Sequence, residues 1–117
     1  MDNEAKPEIK IIRKADARNF LEDEEHCRYY VNTKKLVFGT SHLLPGKKGG
    51  IDPGHQIGDE VFYCAKGTVL CYFPNQKIYK ELFEGDIVVI PPGEPHQLFN
   101  TSSEEAVVTW SLAPPDS

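Results

Sequence analysis

Between Gly85 and Asn100 the chain reads GDIVVIPPGEPHQLFN, and this stretch constrains the fold more than any other. Ile87 to Ile90 is a short run of β-branched residues, the composition of a half-buried pleated strand. Pro91-Pro92-Gly93 must end it, because proline cannot donate to a ladder and glycine supplies the turn. His96 follows three residues later, held near a rigid strand end. A histidine so placed serves as a metal ligand, as a general base, or as an ordinary core residue bonded to a carbonyl.

The rest of the chain repeats this rhythm of short apolar runs and Gly/Pro turns. Cys27 to Val31, Leu36 to Leu44, Val61 to Ala65, Thr68 to Phe73, Ile78 to Phe83 and Val107 to Leu112 all read as strands. Turns fall at Asn32 to Lys35, Glu84-Gly85-Asp86 and the loop Pro45 to Gly50, with a further turn signal at Asp52-Pro53-Gly54. Many short strands at regular spacing, with no long helix and no internal repeat, argue for an all-β sandwich or barrel. Strands β-paired across Lys66-Gly67 would form the clearest hairpin, with Phe62 opposite Cys71 and Cys64 opposite Val69. Alternation then puts Glu60, Phe62 and Cys64 on one face beside Val69, Cys71 and Phe73, while Tyr63 and Tyr72 face the other way. A carboxylate on that face is costly unless paired or metal-bound, so Glu60 requires a positive partner, a lysine, or a place in water at the strand's mouth.

Before these strands, Ile9, Ile11 and Ile12 suggest a short N-terminal strand able to join a sheet edge or a partner subunit. Residues 1–8 are expected to be loose. Ala15 to Leu21 suggests one helical turn with Asp16 as N-cap, and Glu22 to Glu25 a solvated acidic turn. Residues 9–35 thus form N-terminal strands and turn, 36–113 the barrel and 114–117 a tail.

Length and charge set the outer bounds. At 117 residues the chain is one domain with a single modest core. A net charge of −5 gives no electrostatic reason to expect nucleic acid or an anionic membrane as partner. No apolar run reaches a membrane span and no signal-peptide core stands at the N-terminus, so a cytoplasmic location is expected. Three cysteines without a CxxC pair argue against a disulfide framework or zinc knuckle. They read as small apolar fillers, although the hairpin pairing would turn the Cys71 thiol toward an interior cavity.

The spacing Gly85-x5-Pro91-x-Gly93-x2-His96-x3-Asn100 resembles the second conserved motif of the cupin superfamily at every position. Upstream, GIDPGHQIGDEVFYCAKG at residues 50–67 resembles the first motif: Glu60 and Gly67 fit its pattern, and His55 stands where its second histidine belongs. The position of that motif's first histidine falls on Pro53, which offers no ligand atom. Taking His55 as the first histidine would put Ile57 at the second position, too close to Glu60. The resemblance covers about residues 36 to 112 and implies a small jelly-roll β-barrel in which both motifs converge near one mouth. It also implies a homodimer.

Carried over residue by residue, the resemblance implies a metal site of His55, Glu60 and His96. Two imidazoles and a carboxylate suit a divalent transition metal such as Fe, Mn, Ni, Co or Zn. Glu60 is alternatively the catalytic base. His42 and Gln56 are candidates for a fourth ligand, and His26, in an acidic stretch, reads as a surface residue. Three functions follow: a metal-dependent isomerase, lyase or dioxygenase acting on a sugar, sugar acid or organic acid; a non-catalytic sensor or carrier of a small molecule, motivated by Pro53; or an interaction domain with relic site residues.

Overall fold

The structure is a computed structural model that describes residues 6–116. Among the described residues the chain forms one 3-10 turn, Lys14–Asp16, and nine strands: β1 (Arg18–Glu22), β2 (Glu25–Asn32), β3 (Val37–Leu43), β4 (Asp59–Lys66), β5 (Thr68–Phe73), β6 (Ile78–Phe83), β7 (Ile87–Ile90), β8 (Gln97–Phe99) and β9 (Ala106–Ala113). They make two antiparallel sheets, one of six strands in the order β1-β2-β3-β9-β4-β7 and one of three in the order β6-β5-β8. Strict alternation of buried and half-buried residues along β3, β5 and β9 gives each sheet an inner face. The inner faces meet in a single core that joins Phe62, Val108 and Trp110 of the large sheet to Val69, Cys71 and Leu98 of the small one.

The strand reading from Cys27 onward stands, with three strands matching end for end: Thr68–Phe73, Ile78–Phe83 and Ile87–Ile90. The expected β4–β5 hairpin does not form. β4 pairs with β9 and β7, whereas β5 pairs with β6 and β8. At Gly67, whose φ of 74° a side chain would resist, the chain leaves one sheet and enters the other. Phe62 therefore lies opposite Trp110 and Val88, not Cys71, and Cys71 lies opposite Lys80 and Leu98. The face assignment survives because alternation depends only on the strand's own pleat: Glu60, Phe62, Cys64, Val69, Cys71 and Phe73 are all buried, and Tyr63 is exposed.

The N-terminal reading needs three corrections. Glu22 to Glu25, expected as a solvated turn, ends β1 and begins β2, with Glu25 buried. Ile9, Ile11 and Ile12 form no strand and are exposed, Ile9 at 94%. The first strand is instead Arg18–Glu22, overlapping the segment Ala15 to Leu21 expected to be helical; only Lys14–Asp16 turns, and its N-cap is Arg13, with no side-chain cap. β1 is an edge strand anchored by one ring, Phe20, stacked on Tyr29 of β2 at 5.0 Å between centroids. The expected looseness of residues 1–8 falls in part outside the described residues, as does the last residue of the tail.

Candidate metal centre

Four side chains meet at one end of the space between the sheets. Glu60 sits on β4, buried, with β9 on one side and β7 on the other. His96 lies just before β8, in the other sheet. Its backbone exchanges two hydrogen bonds with Asp52, at 2.8 and 2.9 Å, and these fix the loop that carries Asp52 and His55. The loop is tied again where Gly93 N–H donates to the His55 carbonyl at 2.6 Å.

The His96 Nε2 stands 3.0 Å from Glu60 Oε1 and 3.6 Å from Asp52 Oδ2. His55 Nε2 stands 3.4 Å from the same Glu60 oxygen and 3.7 Å from the same Asp52 oxygen. Ligand atoms of Asp52, His55 and Glu60 all lie within 4.8 Å of one another. These distances are in ion-pair range, yet the ring nitrogens are not aligned for hydrogen bonds. His55 Nε2, Glu60 Oε1 and His96 Nε2 are all buried without a hydrogen-bond partner. Three buried polar atoms left unpaired in one place cost several kcal/mol, on the order of 1–3 each, unless a cation satisfies them together.

The surroundings hold these side chains in place. His96 Nδ1 is 2.9 Å from the Glu94 carbonyl, to which it donates, so Nε2 is the atom turned to the cluster. The edge of Phe62 braces the His96 ring at 5.3 Å. Asp52 Oδ1 accepts from Gly54 N–H at 2.8 Å, leaving Oδ2 for the two imidazoles. Burial alone pushes the His96 imidazolium pKa down, but the Glu60 carboxylate, the Glu94 carbonyl and Asp52 outweigh it and carry the pKa above its ordinary value. Two imidazoles and two carboxylates fit a borderline divalent cation.

Asp52 is the residue the sequence reading missed. It was visible only as the first member of a turn signal, although it is a carboxylate one position before Pro53, where the resemblance expects a histidine. Neither proposed fourth ligand joins the cluster. His42 lies on the outer side of β3, 2.8 Å from Arg28 Nη1 and 3.2 Å from Glu105 Oε1. Gln56 is exposed, its backbone N–H bonded to Asp116. His26, half-buried, bonds Asn19 at 2.8 Å on the same outer side.

The cluster forms part of the wall of a cavity of about 190 Å³, otherwise walled largely by Phe20, Tyr29, Val37, Leu98, Trp110 and Leu112. Cys71 is fully buried but does not line it, and burial pushes its thiol pKa to about 12, so it is inert filler. The last residue of the second motif, Asn100, does structural work: it is buried and donates to the carbonyls of Leu43 and Glu104 at 2.9 and 2.7 Å while accepting from Ser102.

Residues 39–112 match the family model described as Cupin domain. No curated protein matches the chain. Among solved structures, an uncharacterized conserved protein with a double-stranded beta-helix domain from Klebsiella pneumoniae is 22% identical, with a TM-score of 0.77 and 93% of each chain covered. KdgF from Halomonas sp. is 15% identical with a TM-score of 0.75, covering 94% of this chain and 97% of that one. A predicted oxalate decarboxylase from Thermotoga maritima is 15% identical with a TM-score of 0.74, covering 90% and 99%. At these identities the likeness is one of fold. No helix among the described residues is long and apolar enough to cross a membrane.

Proposed function

The chain belongs to the cupin domain family, and from that premise we propose that it is a small metalloenzyme acting on a polar small molecule, with Asp52, His55, Glu60 and His96 holding a divalent transition metal. The observation that carries this reading is the convergence of three buried, unpaired atoms, His55 Nε2, Glu60 Oε1 and His96 Nε2, on the wall of a cavity. A cation there would supply Lewis-acid polarisation of a bound oxygen.

The chain's own residues do the rest. The paired backbones of Asp52 and His96 set the spacing of two donors, and Phe62 and the Glu94 carbonyl fix the His96 ring. Phe20, Val37, Leu98, Trp110 and Leu112 keep bulk water from the ligand. With the metal held by the other three side chains instead, Glu60, 3.0 Å from His96, would be the group to exchange a proton with a ligand bound beside it. The fold shared with a predicted oxalate decarboxylase is in keeping with a small, oxygen-rich ligand. As a homodimer the chain would cover its exposed apolar strand surface at Ile87 and Val89 of the edge strand β7.

The test is elemental analysis of purified protein and of its His55→Ala and His96→Ala variants. About one metal per chain, lost in both variants, is expected. Full occupancy in the His96→Ala variant would sink the assignment.

A further inference from the structure

Of the four edge strands among the described residues, three are guarded by charge or by shortness. β1 holds Arg18 and Glu22, β6 holds Lys80 and Glu81, and β8 has three residues. β7 is the exception. Its residues, Ile87-Val88-Val89-Ile90, are all apolar and β-branched, and its register with β4 runs without a bulge. It pairs on one side only. Val88 and Ile90 turn to the core, whereas Ile87 and Val89 are more than half exposed. Beside them on β4 stand Val61, opposite Val89, and exposed Tyr63, opposite Ile87. The outer face of this edge is a continuous apolar patch with an open ladder along it.

The same chain holds an apolar segment with nothing to cover it. Residues 6–16 are all exposed, Ile9 at 94% and Ile11 at 71%, and residues 6–13 lie outside any helix or strand. Among the described residues no hydrogen bond ties residues 6–12 to the rest of the chain. Arg13, where the segment meets the 3-10 turn, is extended, with φ −79° and ψ 151°. In an extended arm Ile9 and Ile11 share one face and Ile12 lies on the other. The run Ile9 to Ile12 matches β7 in length. The charges match as well. Residues 6–14 carry Lys6, Lys10, Arg13 and Lys14 against Glu8 alone, while exposed Glu84 and Asp86 precede β7 and exposed Asp59 begins its neighbour β4.

The arm does not reach its own β7. It enters the fold at β1, the opposite edge of the six-stranded sheet. Five strand spacings of about 4.8 Å put β7 about 24 Å away around that sheet. From Ile12 to Arg18 a fully extended chain spans at most about 21 Å, and the turn Lys14–Asp16 shortens it. A second copy of the chain is the occupant that fits.

We propose that residues 9–12 of one copy add as a strand to the free edge of β7 in a second copy, which returns the exchange. Ile9 and Ile11 extend the outer patch of Ile87 and Val89, and Ile12 covers the other side of the edge. Each copy gives one arm and receives one, so the assembly closes at two. This deepens the homodimer proposed above and does not depend on the metal.

Sedimentation equilibrium across a dilution series tests it in three proteins: wild type, an arm variant carrying Ile9→Asp and Ile11→Asp, and an edge variant carrying Val89→Asp. All three positions are exposed in the single chain, so the fold is kept. The wild type should dimerise, and the dimer dissociation constant of each variant alone should rise about a hundredfold or more. An equimolar mixture of the two variants should recover a mixed dimer of intermediate affinity, because the intact arm of one meets the intact edge of the other. Wild-type affinity in either variant overturns this inference and leaves the homodimer standing. Weakened variants that form no mixed dimer overturn it as well. A monomeric wild type overturns the homodimer and the inference together. Metal content of the same wild-type sample is a separate readout, so the metal centre stands or falls on its own.

Discussion

Asp52 and His96 bond to each other through both backbones, and their side chains come within 3.6 Å at the same point. One sheet-like bridge thus aligns a loop carboxylate with an imidazole from the second motif. In the proposed metal site, Asp52 would stand in for the ligand that Pro53 cannot supply.

That substitution can be checked directly. The Asp52→Asn variant keeps the turn bond from Gly54 N–H, since the amide oxygen still accepts, but loses the charge. Its metal affinity should fall at least about tenfold, or about 1.4 kcal/mol, in a competition titration with a chelator. Unchanged affinity would remove Asp52 from the ligand set.

Metal binding should stabilise the folded chain by mass action. At a free metal concentration of about 100 Kd the gain is about 2.7 kcal/mol, which for a domain of this size raises Tm by on the order of 10 °C. Differential scanning calorimetry with and without chelator reads this shift, and the His96→Ala variant should lose most of it.

Glu25 sets a pH dependence of stability. Its folded pKa is raised by burial above the ordinary value of 4.5, so between that value and the folded pKa the native state holds a proton that the unfolded chain has released. Its stabilising effect is full below the unfolded pKa and is lost as pH rises through the folded pKa, with a limiting slope of about 1.4 kcal/mol per pH unit. Urea unfolding of wild type and the Glu25→Gln variant across pH 4 to 9 should show wild type losing ground as pH rises from the unfolded carboxyl value to the folded pKa and levelling off above it. Parallel curves would place Glu25 at its ordinary pKa.

Gly39 faces the Trp110 ring and the Arg28 carbonyl so closely that a methyl group there would overlap both. The Gly39→Ala variant should lose about 1–3 kcal/mol in the same unfolding experiment. Because Trp110 anchors Ser41, it should also perturb the indole fluorescence of the native state.

Strand positions were legible because alternation is written into each strand: Val69, Cys71 and Phe73 turn inward whichever neighbour they pair with. Pairing was not, because β4 pairs with β7 and β9, more than twenty and more than forty residues away, and nothing local distinguishes a hairpin at Gly67 from a crossing between sheets. The Ile9 to Ile12 segment misled because its apolar side chains find no neighbour to cover them, whereas Arg18–Glu22 forms a strand with Phe20 as its main apolar contact. His55, Glu60 and His96 were found through motif spacing. Asp52 was passed over because aspartate before Pro-Gly is an ordinary turn residue, and its second oxygen acquires a role only when β8 brings His96 alongside.

The crossing at Gly67 has a mechanical consequence. Glu60 precedes β8 by way of that crossing, so it belongs to the six-stranded sheet while His96 borders the three-stranded one. An ion gripping both acts as a clasp between the two halves of the barrel. Its release would free them to breathe apart, so amide protons along β8 should report, by their exchange rates, how firmly the clasp is shut.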